Sequence, residues 1–191
     1  MSRAVFIDKD GTLVRDVPYN VDPANVIFHD GAVEALKMLK EKKYKLIMIT
    51  NQSGIAKGYF KEQDLEALFA YMQEKLLRVG VGFDDYYFCP HHPCGIVDEY
   101  SIECDCRKPQ PGLILRASSK WNIDLGHSWM IGDILNDVET GNRAGCKTIL
   151  IDNGGETEWK EGPFRKPDAT VDSLYNAATL ILEKRNCEIE V

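Results

Sequence analysis

Three short apolar runs in this chain each break off into a dense polar motif, with amphipathic segments between them. Ala4-Val-Phe-Ile7 ends in DKDGT, Lys45 to Ile49 in TNQSG, and Ser128-Trp-Met-Ile131 in GDILND. Apolar runs of this length, bounded by turn residues, predict strands buried on both faces of a sheet. Helical spacing predicts the connecting elements. Val33, Leu36 and Leu39 recur within 31–40, while Leu65, Leu68, Phe69, Met72 and Leu76 form one stripe within 62–79. Tyr86-Tyr-Phe88 predicts a further strand, Pro111 starts a helix that runs to about Lys120, and a short helix follows GDILND to Ala144. Lys147 to Ile151 predicts a fifth strand, 153–167 a surface loop, and 173–184 a closing helix.

This alternation predicts an α/β domain: a doubly wound, Rossmann-like parallel sheet with helices on both faces. Ligands bind such sheets beyond the carboxyl ends of the strands, where all three motifs fall, so they point to one site. A length of 191 residues suits one domain over 1–191. No stretch between the motifs is long enough for a large cap domain, and only loops at 13–30, 52–60 and 89–111 remain to cover the site.

Charge and composition limit the partners. A net charge of −7 with no dense Lys/Arg stripe argues against nucleic acid. Apolar runs such as Leu46 to Ile49 fall far short of the roughly 20 residues that span a bilayer, so no membrane association is expected. The N-terminal MSRAVFID carries no signal-peptide pattern, and a cytoplasmic, monomeric protein is the expectation. An acidic chain that takes an anionic ligand must focus positive charge locally.

The motifs offer the means. Asp8 and Asp10, at i and i+2 past a strand, can both approach a hard cation, or one can attack while the other acts as acid and then base. Alone, DKDGT is equally the composition of a bend. Thr50-Asn51-Gln52-Ser53-Gly54 supplies hydroxyl, amide and backbone donors suited to phosphoryl oxygens, although the same residues make ordinary turns. Arg107-Lys108 puts two cations just before the Pro111 helix, where solvation is the bland alternative. Asp133 and Asp137 add carboxylates after the fourth strand; Asp133 is the better metal ligand, and Asp137 reads as a loop cap.

A second signal is Cys89-Pro-His91, a gap of twelve residues, then Cys104-Asp-Cys106. Three thiolates and an imidazole make a closed tetrahedral Zn²⁺ site, here a loop insert over about 89–108. Reduced buried thiols are the alternative. His92 reads as a surface histidine, Cys146 as core, and nothing singles out Cys187.

In the order DxDGT, TNQSG, RKP, GDxxxD, these motifs resemble the haloacid dehalogenase superfamily of aspartyl phosphatases over about residues 4–152. The resemblance implies that Asp8 is the nucleophile and Asp10 the general acid/base, and that Thr50 and Lys108 steady the phosphoryl group. It implies that Asp8, Asp133 and the Asp10 backbone carbonyl hold a catalytic Mg²⁺. With its zinc loop the chain is similar to the D-glycero-manno-heptose 1,7-bisphosphate 7-phosphatases and their histidinol-phosphatase relatives; CPHHP, CDCRKP and TNQSGIAKG look like the heptose enzymes. That resemblance implies a small phosphorylated sugar as substrate, contacted by Asp16, Tyr19, Thr50, Asn51, Gln52, Ser53, Arg107 and Lys108. Ile134 stands where a Lys is expected, removing one source of phosphate charge. Histidinol phosphate is the alternative substrate. A zinc-stabilised binding module without catalysis is the alternative of another class, against which the intact Asp8, Asp10, Thr50, Lys108 and Asp133 argue.

Overall fold

The computed structural model describes residues 1–189, with side chains to Lys184; the Cys187 side chain lies outside that range. At its centre is β1 (Ala4–Ile7), flanked by β2 (Lys45–Asn51) and β4 (Trp129–Gly132). β3 (Asp85–Cys89) extends one side; β5 (Lys147–Ile151) and β6 (Ala169–Val171) extend the other. The order is β3-β2-β1-β4-β5-β6, every pair parallel.

Alternation along the strands divides the core into two layers. Val5 and Ile7 share one cluster with Leu36, Leu65 and Ile181, from α1 (Ala32–Glu41), α2 (Glu62–Arg78) and α5 (Leu174–Ile189). Ala4 and Phe6 share the other with Leu113, Ile114 and Ala117 of α3 (Gly112–Trp121), and with Ala144 of α4 (Leu135–Ala144). Each large apolar side chain fully buried this way, such as Phe6 or Leu36, stabilises the fold by about 1.5–3 kcal/mol. α4 stops where Gly145 takes a left-handed φ of 87°, letting the chain turn directly into β5.

The expected doubly wound α/β sheet is present, with no large cap domain. One element departs from expectation. β6 is a sixth strand in the stretch between the expected loop over 153–167 and the last helix, where the sequence reading assigns no element. It has three residues, none fully buried, and its strand identity comes from pairing Ile149 with Ala169 and Ile151 with Val171. No helix among the described residues is long and apolar enough to cross a membrane.

Candidate active site

The chain leaves β1 toward one edge and returns through β4 on its other side, so a crevice opens between the carboxyl ends of these strands. Asp8 sits there, its N–H donating to the Ile131 carbonyl at 3.0 Å. The backbone then wraps back on itself: Leu13 and Val14 both donate to the Lys9 carbonyl at 3.0 Å. Gly11, at φ 79°, is what lets this turn press on Asp133, because a Cβ there would stand 2.0 Å from Asp133 Oδ2.

On the crevice floor Lys108 Nζ lies 2.5 Å from both Asp8 Oδ1 and Asp137 Oδ1. Asp8, Asp133 and Asp137 bring carboxylate oxygens within 4.8 Å of one another, all three residues buried. Burial pushes the Asp8 carboxyl well above its usual range; Lys108 opposes this, and Asp137, Asp133 and Asp10 add to it. Burial, then the charge on Asp137, raises Asp133 to about 7. Burial would lower Lys108, but Asp137 and Asp8 outweigh it and hold the ammonium charged above the usual lysine range. Three acids thus share one buried cation. Hard oxygen donors with surplus negative charge fit a Mg²⁺-type ion. Asp137 is therefore more than the predicted cap, although its Oδ2 does accept the Ile134 N–H at 3.4 Å.

The Asp10 side chain points elsewhere. It accepts from Gln52 Nε2 at 3.1 Å and pairs with the buried Lys9. Gln52 Nε2 also reaches Thr50 Oγ1 at 2.9 Å, so one amide ties the acid of β1's loop to the hydroxyl of β2. Asn51 clamps the next segment in both directions: its Oδ1 accepts the Lys108 N–H at 3.0 Å and its Nδ2 donates to the Lys108 carbonyl at 3.2 Å.

Above this floor is a cavity of about 540 Å³. Of the predicted residues, Asp8, Asp10, Asp16, Thr50, Asn51, Lys108 and Asp133 line it. Burial, and then the charge on Asp10, raise the Asp16 carboxyl. Tyr19, Gln52, Ser53 and Arg107 are not in its wall. Tyr19 instead accepts a 2.6 Å hydrogen bond from Lys57 and meets Tyr59 edge-on; the Ser53 carbonyl takes the Lys57 N–H at 3.0 Å; Arg107 donates to the His91 carbonyl at 3.3 Å. Arg15, His29 and Asn153 also line the cavity, and the sequence reading passes over all three. No motif marks them: Arg15 and His29 come from the two arms of the β1–α1 connection and Asn153 from the loop after β5.

The second cluster assembles as its spacing predicts. Cys89 Sγ lies 3.6 Å from Cys104 Sγ and 3.3 Å from Cys106 Sγ, while Cys104 and Cys106 are 3.3 Å apart. His91 Nδ1 is 3.3 Å from Cys106 and 3.7 Å from Cys89. A tetrahedral Zn²⁺ with bonds of about 2.3 Å to sulfur sets its thiolates roughly 3.8 Å apart, so the quartet needs to open only slightly. The 3.3 Å hydrogen bond shared by Cys106 and Cys89 is the main cause that pulls Cys106 down to about 5 and pushes Cys89 far up. Cys94, in the same loop, is exposed and outside the quartet. Cys146 is a core thiol, raised to about 12 by burial.

Residues 105–177 match a family model described as HAD-hydrolase-like. The chain is 44% identical over 181 residues to a D-glycero-beta-D-manno-heptose-1,7-bisphosphate 7-phosphatase of Pasteurella multocida, covering 95% of this chain and 97% of that one. The enzyme of the same name from Yersinia pestis is 42% identical over 174 residues, 91% and 90% of the two chains. Among solved structures, the D,D-heptose 1,7-bisphosphate phosphatase of B. bronchiseptica, complexed with magnesium and phosphate, superposes with a TM-score of 0.77 at 27% identity over 95% of this chain and 99% of that one. With these likenesses joined to the site geometry, the chain belongs to the D-glycero-manno-heptose 1,7-bisphosphate 7-phosphatase family of the haloacid dehalogenase superfamily.

Proposed function

We propose that this chain hydrolyses the 7-phosphate of D-glycero-manno-heptose 1,7-bisphosphate through an aspartyl phosphate on Asp8. The observation that carries the reading is the buried Asp8 carboxylate, paired with Lys108 at 2.5 Å on the floor of an open crevice. In the first step a carboxylate oxygen of Asp8 attacks phosphorus, and the bond from phosphorus to the sugar oxygen breaks. Asp10, oriented by Gln52, gives its proton to the departing alkoxide. In the second step Asp10 takes a proton from water, the hydroxide attacks phosphorus, and the bond to Asp8 breaks, releasing inorganic phosphate. Lys108 and Thr50 steady the phosphoryl oxygens throughout. Asp8, Asp133 and the backbone of Asp10 would hold Mg²⁺, with Asp137 close by; the ion supplies charge neutralisation between the carboxylate and the phosphate.

A structural Zn²⁺ on Cys89, His91, Cys104 and Cys106 belongs to the same reading, since Arg107 and Lys108 directly follow the last ligand. Cytoplasmic conditions, which keep thiols reduced, suit that quartet. The reading takes residues 1–191 as one catalytic domain that acts as a monomer.

The test is a panel assay with Mg²⁺: both anomers of the heptose bisphosphate, histidinol phosphate and a small aryl phosphate. The heptose compound should lead by kcat/KM, and preference for histidinol phosphate would overturn the substrate. Asp8→Asn keeps the side-chain shape and should lower turnover by at least ~10³-fold. Near-normal turnover by that variant would overturn the mechanism.

A further inference from the structure

Asn153 is in the wall of the active-site cavity, yet both ends of its amide are already taken. Its Nδ2 donates to the Gly11 carbonyl at 2.7 Å, and its Oδ1 accepts the Gly155 N–H at 3.1 Å. A carbonyl can only accept and a backbone N–H can only donate, so these two contacts fix which way the amide faces. One side chain thereby joins the turn after β1 to the loop after β5, across 142 residues of sequence.

Both backbones that Asn153 grips press on the same atom. A Cβ on Gly11 would stand 2.0 Å from Asp133 Oδ2, and one on Gly155 would stand 2.1 Å from it. Glycine alone permits either approach. The other carboxylate oxygen of Asp133 accepts from Thr12 Oγ1 at 3.3 Å, and Thr12 follows Gly11 directly. The β5 loop has a separate anchor further on, where Glu156 Oε2 accepts the Leu135 N–H at 2.6 Å. Asp133 thus leaves β4 for a socket walled by the β1 turn and the β5 loop, and Asn153 links the two walls.

The socket answers a physical need. Asp133 shares a small space with Asp8 and Asp137, and like charges drive these carboxylates apart when no metal is bound. Lys108 faces Asp8 and Asp137 at 2.5 Å, but Asp133 has no such ion pair among the described residues. A carboxylate held in place before an ion arrives loses less freedom on binding it.

We propose that Asn153 is a positioning residue for the metal site: by locking Gly11 and Gly155 against Asp133, it fixes the orientation in which that carboxylate receives Mg²⁺. This rests on the Mg²⁺ reading of the acid cluster given above. Asn153 touches neither the ion nor the reacting atoms, so it acts on metal affinity and not on the chemical step.

The experiment titrates Mg²⁺ into the substrate-free protein and follows Tm, in wild type, Asn153→Ala and Lys160→Ala. Dialysis without chelator removes Mg²⁺ beforehand and leaves the Cys/His quartet undisturbed. Asn153 is exposed, so its truncation opens no cavity in the core. Asn153→Ala should raise the Mg²⁺ dissociation constant about ten- to a hundredfold, the range for losing a group that orients a metal ligand. With Mg²⁺ raised to saturation, its kcat on a small aryl phosphate should return to within about threefold of wild type. Lys160 lies in the same loop and pairs with Glu158 at 2.7 Å; its removal is the control and should change neither quantity. An unchanged dissociation constant in Asn153→Ala, an equal rise in Lys160→Ala, or a kcat that stays low at saturating Mg²⁺ overturns the positioning role while the metal reading stands. A wild-type protein that binds no Mg²⁺ overturns both.

Discussion

Lys108 concentrates the positive charge that a chain of net charge −7 lacks elsewhere in its sequence pattern. It is 4% exposed and faces Asp8 and Asp137 at 2.5 Å, so neither acid relies on water. Removing it would strand buried carboxylates without a counter-ion, a class of change that costs about 3–5 kcal/mol. Lys108→Met should therefore destabilise the metal-free protein by roughly that amount at pH 8, measured by urea denaturation. At pH 5 the loss should shrink, because carboxyls already raised by burial then take up protons and lose their charge. Equal losses at both pH values would show that packing, not charge, is what Lys108 contributes. The sequence makes Asp8, Asp133 and Lys108 readable because each follows a strand or precedes a helix in a recognisable string. Asp137 is harder: four residues after Asp133 at the start of α4, it has the spacing of a cap, and only the fold reveals that it also faces Lys108. Arg15 and His29 carry no signal of their own.

Between residue and sheet, two devices hold the 107–108 segment: the Cys/His quartet before it and the Asn51 clamp opposite. If Zn²⁺ fills the quartet, Cys104→Ser should release it, which elemental analysis of chelator-free protein would detect. Amide hydrogen exchange should then quicken over 89–108 and remain unchanged in α5, and activity should fall through Lys108 alone. A variant that loses zinc yet keeps its protection and turnover would mean that Asn51 suffices to hold the segment. The first two helices were readable from apolar periodicity, the third from Pro111, and the five longer strands from short apolar runs. β6 was not, because a three-residue strand with half-exposed side chains owes its pairing to β5 and not to its own pattern. Cys94 escaped notice within a motif dense in cysteine, and the structure leaves it exposed at the surface.

For the molecule as a whole, the acid cluster links stability, protons and metal. The folded-state values of Asp8 and Asp133 are raised, the latter to about 7, above the carboxyl value of the unfolded chain. The native state then binds more protons than the unfolded state, so these groups favour folding at acid pH. That contribution is lost as pH rises from about 4 toward 7. Mg²⁺ replaces those protons, so the rise in Tm on adding it should be larger at pH 8 than at pH 5.5. A rise of equal size at both pH values would count against ligation by this cluster. The central position of β1 has one more consequence, which concerns synthesis. Asp8 is made about 125 residues before its neighbours on the floor of the crevice, Asp133 and Asp137. At roughly 5–20 residues per second, the nascent chain carries its nucleophile for about 6–25 s before a reaction centre can form around it. The enzyme is thus silent on the ribosome until β4 and the start of α4 are made, and a truncated product that stops before β4 carries Asp8 and Lys108 without the carboxylates that complete the floor of the crevice.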